Sequence, residues 1–327
     1  MLIQKEEIVE SSVSTRQLEG QGLLPLVIEP KAEVNWRACF ADIKEVIDTQ
    51  LEKVGGVLLR GFKVSDEKDF QEFAKSFGEE LLSYDYASTP RSNVEGKVYT
   101  STEYPAHQVI PLHNEQAYTL SWPMRIWFCS LKVAEEGGET PIADSRQIYN
   151  LIDPDIRARF EQKKLMYVRN YGNGLDLPWE KAFNTESKAQ VESFCRENQI
   201  EFEWLNDDEL RTRQICQATI AHPRTGEKVW FNQAHLFHVS NLQPHVRETL
   251  ISIVGEENLP RNVYYGDGTA IDEKDLDHVR QVMDDCEVKF LWEEGDIMML
   301  DNMLAAHARG TFKGERKVVV AMAESNQ

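Results

Sequence analysis

His113, Glu115 and His307 are the residues of this chain whose types and spacing could hold a catalytic metal. Alternate residues of a β-strand point to one face, so His113 and Glu115, in His113-Asn114-Glu115, could grip one ion together. His307, 192 residues beyond Glu115, could complete the set from a distant strand. Two imidazoles and one carboxylate on one side of an ion leave the opposite positions open, the facial arrangement of non-haem Fe(II) oxygenases. An H-x-E triplet alone reads equally well as a satisfied pair on a strand, so its company matters.

That company is ordered. Thr140 follows Glu115 by 25 residues, in Glu136-Gly137-Gly138-Glu139-Thr140-Pro141, and Arg316 follows His307 by 9. With these residues in place the chain resembles the TauD/TfdA family of Fe(II)/2-oxoglutarate-dependent dioxygenases. The likeness runs from about Val57 to Met322 and is densest over Tyr99–Ser145, His222–His238 and Gly295–Met322. Within the family it is similar to the clavaminate-synthase-like and SyrP-like hydroxylases of secondary metabolism, whose metal carboxylate is Glu, as here.

The resemblance implies that His113, Glu115 and His307 hold Fe(II), that 2-oxoglutarate takes two of the remaining positions and that O₂ takes the last. Oxidative decarboxylation to succinate and CO₂ would then drive hydrogen abstraction from a substrate C–H bond. The distal carboxylate of 2-oxoglutarate needs a fixed counter-charge. Arg316 suits it because a planar guanidinium binds carboxylate through two parallel bonds, and Thr140 adds a hydroxyl donor. Arg309 shares the strand-face parity of His307 and is a candidate for the same pocket, or else a surface ion pair. The carboxylate of Glu115 disfavours halogenation, since related halogenases carry a small residue there and chloride on the iron. Where taurine enzymes have a second arginine for the sulfonate, this chain has Val320, which disfavours a sulfonate substrate.

Two further segments, Val168–Gly172 and Val229–His235, mix aromatics with amides. They make Asn170 and Asn232 candidates for orienting a substrate amine or carboxylate, although buried amides tying loops together look the same in sequence. His235 and His238 could suggest a second metal pair, but Ala-His-Leu-Phe-His reads as packing. The expected activity is hydroxylation of an amino acid or amino-acid-derived small molecule, free or presented on a carrier protein. The alternatives are a desaturase or cyclase, a catabolic dioxygenase of a small carboxylate, and a non-oxidative cupin-like metal protein. Thr140 and Arg316 speak against the last, which needs no 2-oxoglutarate clamp.

The elements that must position these residues read as one domain over 1–327, mainly β with flanking helices. The fold expected is a double-stranded β-helix (jelly roll) with helical insertions at about 145–286. Residues 1–35 look like a polar lead-in arm. Gly56–Phe62 reads as a buried strand, and Ser65 as the N-cap of a helix carrying Phe70, Phe73, Ala74 and Phe77 to Gly78. Strands are expected at Lys97–Ser101, Arg125–Val133, Lys164–Tyr171, Gln217–His222, Val229–Asn232, Val288–Leu291, Ile297–Leu300 and Lys317–Ala323. Helices are expected at Arg146–Leu151, Asp155–Lys163, Glu186–Asn198, His245–Ile253 and Glu273–Cys286. A hydrophobic fraction of 41% suffices for a core, and a net charge of −19 argues against nucleic-acid or anionic-membrane surfaces. Five scattered cysteines without C-x-x-C fit a reducing cytoplasm. No apolar run reaches membrane-spanning length, and the first residues lack a signal-peptide layout.

Overall fold

The computed structural model describes residues 10–18, 22–83, 86, 91–101 and 104–326. The chain enters through β1 (Val13–Gln17), β2 (Leu26–Pro30), helix α1 (Trp36–Val54), β3 (Gly56–Leu59) and helix α2 (Glu67–Lys75). Six strands follow: β4 (Asn93–Glu95), β5 (Val98–Thr100), β6 (Ile110–His113), β7 (Pro123–Lys132), β8 (Glu136–Gly137) and β9 (Ile142–Asp144). The stretch 145–286 adds β10 (Leu165–Tyr171), β11 (Glu201–Trp204), β12 (Leu210–Cys216), β13 (Thr219–Ala221), β14 (Lys228–Trp230) and β15 (Arg261–Tyr265). Among its helices are Ser145–Leu151, Pro154–Lys163, Lys188–Glu197, Pro244–Val254 and Glu273–Asp285, close to the expected spans. Four strands close the chain: β16 (Ile297–Asp301), β17 (Ala305–Arg309), β18 (Phe312–Lys313) and β19 (Lys317–Ser325).

An eight-stranded sheet, ordered β1-β2-β3-β16-β7-β19-β5-β4, faces a three-stranded sheet, β6-β17-β9. Period-two alternation builds both of the large sheet's faces. Ile126, Phe128, Met298, Leu300, Val318 and Val320 point inward to Ile142 and Ala305 of the small sheet. Trp127, Cys129, Ile297, Met299 and Val319 point outward beneath Ile43 and Ile47 of α1 and Phe70 and Phe73 of α2. Strand β7 lies between β16 and β19 and is apolar on both faces because both are covered. The two sheets form the expected jelly roll, and β10, β11, β12 and β15 make a separate four-stranded sheet beside it.

The N-terminal reading needs correction. Within the supposed lead-in arm, β1 and β2 are ordered strands at one end of the large sheet, β1 at its edge, and β2 pairs in parallel with β3. Only Val13 of β1 is buried, so this edge carries no alternation to read. Helix α1 was not anticipated. Its stripe of Cys39, Ile43, Ile47 and Leu51 is spaced by four within a charged stretch, capped by Asn35 and ended at Gly55 with φ +83°. The α2 N-cap is Asp66 rather than Ser65, because the Asp66 carboxylate accepts from the Asp69 N–H. Val288–Leu291 forms no strand, only a single bridge from Val288 to Ile142. Among the described residues no helix is long and apolar enough to cross a membrane, and all five cysteines are buried free thiols.

Candidate active site

His307 is the central residue of β17 and lies directly opposite His113, the last residue of β6. This cross-strand register sets the two imidazole centroids 4.4 Å apart. Phe128 of the large sheet packs on His307 at 4.9 Å and fixes the ring from behind. Glu115 is not on β6, which ends at His113, so strand parity does not bring it to the site. The turn after the strand does. One potential ligand atom from each of His113, Glu115 and His307 lies within 4.8 Å of the others, and this is the one such cluster among the described residues.

Asn302, in the turn between β16 and β17, holds that turn in place. Its Oδ1 accepts from the Glu115 N–H at 2.7 Å, and its Nδ2 donates to Glu115 O at 2.9 Å and Pro123 O at 2.8 Å. In effect the amide replaces a strand partner for the Glu115 backbone. Asn114 returns the contact, donating to Asn302 O at 2.7 Å and Ser145 Oγ at 3.0 Å. Asp301 closes the turn by accepting from the Met303 and Leu304 N–H groups, and its other oxygen meets His222 Nε2 at 3.0 Å. Every one of these groups is buried. A clamp whose polar atoms are all paired with one another can be rigid without an unsatisfied group.

His113 Nδ1–H can donate to Pro111 O at 2.8 Å, which leaves Nε2 with a free lone pair. Burial holds the His113 pKa below the ordinary histidine value, partly opposed by Glu115. His307 is pushed well below that value, by burial first and then by His113 and Arg91. Both imidazoles are therefore neutral near pH 7, as metal ligation requires. Two neutral imidazoles and one carboxylate suit Fe(II). Arg91, absent from the sequence reading, is buried against this cluster with Nη2 2.6 Å from Glu115 Oε2. It lies in a polar stretch whose composition gives no sign of burial.

A narrow cavity leads from His113 and His307 to Arg316 and Thr140, past Phe128 and Val318. Strand β18 pairs with β8 and brings the Arg316 segment alongside Gly137–Thr140. Arg316 donates through Nε to Gly138 O at 2.8 Å and through its two Nη groups to Ser101 Oγ and Thr140 Oγ1, each at 3.3 Å. Gly138, at φ +79°, adopts a backbone conformation strained for other residues, and a Cβ there would press on Ala134 Cβ and Arg316 Cδ at 3.0 Å. Trp292 Nε1–H donates to the same Thr140 hydroxyl at 3.1 Å. No carboxylate of a described residue lies within ion-pair distance of Arg316, and burial, then Arg309, brings its pKa down to about 10. A mostly buried guanidinium that meets only neutral acceptors fits an incoming carboxylate.

The remaining expected residues separate clearly. Arg309 does line the cavity, but its two Nη groups donate to the carbonyls of Tyr104, Pro105 and Gln108, tying down that loop. Asn170 and Asn232 are not among the cavity's lining residues. Asn170 donates to Glu257 O and Leu259 O and accepts from Arg211, and Asn232 bridges Ala218 O and the Ala234 N–H. Both are loop-tying amides in this structure. His235 meets Leu112 O and His238 meets Ser240 Oγ, in keeping with packing. Val320 is fully buried between the sheets.

Comparison with known proteins fits this geometry. The model of the family "Taurine catabolism dioxygenase TauD, TfdA family" matches residues 19–322. The chain is 43% identical over 276 residues to the dapdiamide synthesis protein DdaC of Enterobacter agglomerans, covering 84% of each. It is 29% identical to a clavaminate synthase-like protein of Arabidopsis thaliana, over 85% of this chain and 84% of that one. Among solved structures, PvcB is described as an Fe, alpha-ketoglutarate dependent oxygenase from an isonitrile synthetic pathway. It aligns with a TM-score of 0.55 at 14% identity, over 97% of this chain and 93% of that one.

Proposed function

From a chain that belongs to the TauD/TfdA family, and so is an Fe(II)/2-oxoglutarate-dependent dioxygenase, we propose an enzyme that hydroxylates an unactivated C–H bond of an amino-acid-derived small molecule in secondary metabolism. The observation that carries this reading is one cavity lined by His113 and His307, of the cluster they form with Glu115, and by Arg316 and Thr140. With iron, 2-oxoglutarate and O₂ in place, the chemistry supplied is oxidative decarboxylation coupled to oxygen insertion. The protein's own part is positional. β6, β17 and the Asn302 clamp gather the three side chains that would hold the ion. Arg316 and Thr140 fix the far carboxylate of the co-substrate, so its keto-acid end is directed at the metal. Phe128, Val318 and Ile110 line the walls between and keep water out.

The substrate class rests on narrower support. DdaC is named for dapdiamide synthesis, which favours a biosynthetic substrate here. The carboxylate of Glu115 argues against halogenation, and Val320, buried in the core, cannot anchor a sulfonate. Arg309 at the cavity wall would meet a substrate carboxylate only by giving up one of its bonds to the Tyr104, Pro105 and Gln108 carbonyls. Presentation on a carrier protein is part of the proposal, as is a reducing cytoplasm, which the buried free thiols favour. The test is mass spectrometry of products from free and carrier-loaded amino acids, with succinate measured in parallel. Gain of one oxygen atom, coupled to succinate, is expected. Coupled turnover of a sulfonate or aryloxy acid, with no amino-acid product, would overturn the substrate class.

A further inference from the structure

Resting on the reading of His113, Glu115 and His307 as metal ligands, we infer that Arg91 is a positioning residue that holds Glu115 to one-oxygen ligation and tempers the site's affinity for divalent metal. Its guanidinium and the Glu115 carboxylate are each at least 96% buried, and Arg91 Nη2 stands 2.6 Å from Glu115 Oε2. That same oxygen lies 3.9 Å from His307 Nε2. The carboxylate oxygen turned toward the second imidazole is therefore the one held by the arginine. A guanidinium does not lose its proton in proteins and accepts no hydrogen bond, so it can only donate and stays charged.

Two consequences follow from that geometry. The first concerns the count of coordination positions. If three protein atoms, two atoms of 2-oxoglutarate and one of O₂ are to share the ion, a carboxylate binding through both oxygens would take a place the reaction needs. A charge-assisted bond from Arg91 to Oε2, the oxygen that faces His307, pins the carboxylate so that it offers the ion one oxygen, already shared with the guanidinium. The second concerns charge. Arg91 neutralises Glu115 before metal arrives, and afterwards remains as a cation beside a dication in a poorly screened interior. Both effects weaken metal binding. Removing Arg91 should therefore tighten the site while spoiling it for chemistry, the opposite sign from damage to a merely structural ion pair.

The experiment uses Co(II) as the metal probe, titrated without O₂ into the full-length protein and read from its ligand-field absorption. Arg91→Met should bind Co(II) about tenfold more tightly or better, the least expected of a lost charge at this range. Its absorption band should change, and 2-oxoglutarate should bind the Co(II) form more weakly. Arg91→Gln keeps a donor without the charge and should bind Co(II) more tightly with a band close to wild type. If Arg91→Met does not fold, Arg91→Gln carries the affinity test alone. Unchanged or weaker Co(II) binding in the variants overturns the inference. His113→Ala is the separate control: if it still binds Co(II) like wild type, the ligand assignment itself fails, whatever the Arg91 variants do.

Discussion

At the triad end of the cavity a buried carboxylate already has its cation, Arg91, at 2.6 Å. At the far end a mostly buried cation, Arg316, has hydrogen bonds to a carbonyl and two hydroxyls and no carboxylate. Burying a charge without a counter-charge costs several kcal/mol, so proteins rarely leave one that way unless something completes it. The difference separates a finished site from one built around a ligand. Under the proposed function, Glu115 already has its counter-charge in Arg91, whereas Arg316 would gain one from the co-substrate.

The strongest way to break this comparison is to remove the ligands at the finished end. His113→Ala and His307→Ala should each lose bound iron and all turnover, measured as metal content and succinate release. Full iron occupancy with normal rate in either variant would sink the triad assignment. At the open end, Arg316→Ala should raise the 2-oxoglutarate concentration needed for half-maximal rate at least ~30-fold, as a buried carboxylate loses a partner worth about 2–5 kcal/mol. Arg316→Lys should recover part of it, because an ammonium cannot reproduce the fork. An unchanged requirement in both variants would transfer the role to Arg309.

A smaller effect is expected at the clamp. Asn302→Ala leaves the Glu115 N–H and the Glu115 and Pro123 carbonyls without partners, and should cost about 1–3 kcal/mol of stability together with weaker metal binding. Denaturant unfolding with and without metal measures both; a variant as stable as wild type in each condition would show that the clamp does not hold the turn. The smallest effect is a pH dependence of the metal-free fold. Burial lowers the His235 pKa to about 4 from an ordinary 6.5. The unfolded chain therefore binds the extra proton more readily, and stability should fall as pH drops through 6.5 toward 4. His235→Gln should flatten that slope over the same window; an identical slope in the variant would assign the dependence to other groups.

How far the site could be read in advance follows from where its information lies. His113, Glu115, Thr140, His307 and Arg316 were legible because their types are chemically narrow and their order along the chain is shared with a family. Asn302 was visible only as part of a turn; its grip on the Glu115 backbone spans 187 residues and depends on the pairing of β16 with β7. Arg91 lies in a stretch without hydrophobic period, so nothing in sequence marks it as buried. Asn170 and Asn232 tie backbone carbonyls here, and an amide among aromatics looks the same in sequence whether it serves a ligand or a backbone carbonyl. Within the fold, β7 was readable from an apolar run covered on both sides. β1, an edge strand with one buried residue, left no such trace.

Trp292, whose indole N–H rests on the Thr140 hydroxyl beside Arg316, gives the cavity an optical gauge. A dianion arriving at the guanidinium changes the electric field along that hydrogen bond, and the emission of a buried indole follows its local field. The chain has seven tryptophans, so the difference between wild type and Trp292→Phe would isolate the one hydrogen-bonded to Thr140. Occupancy by 2-oxoglutarate could then be followed without oxygen and without turnover, by light alone.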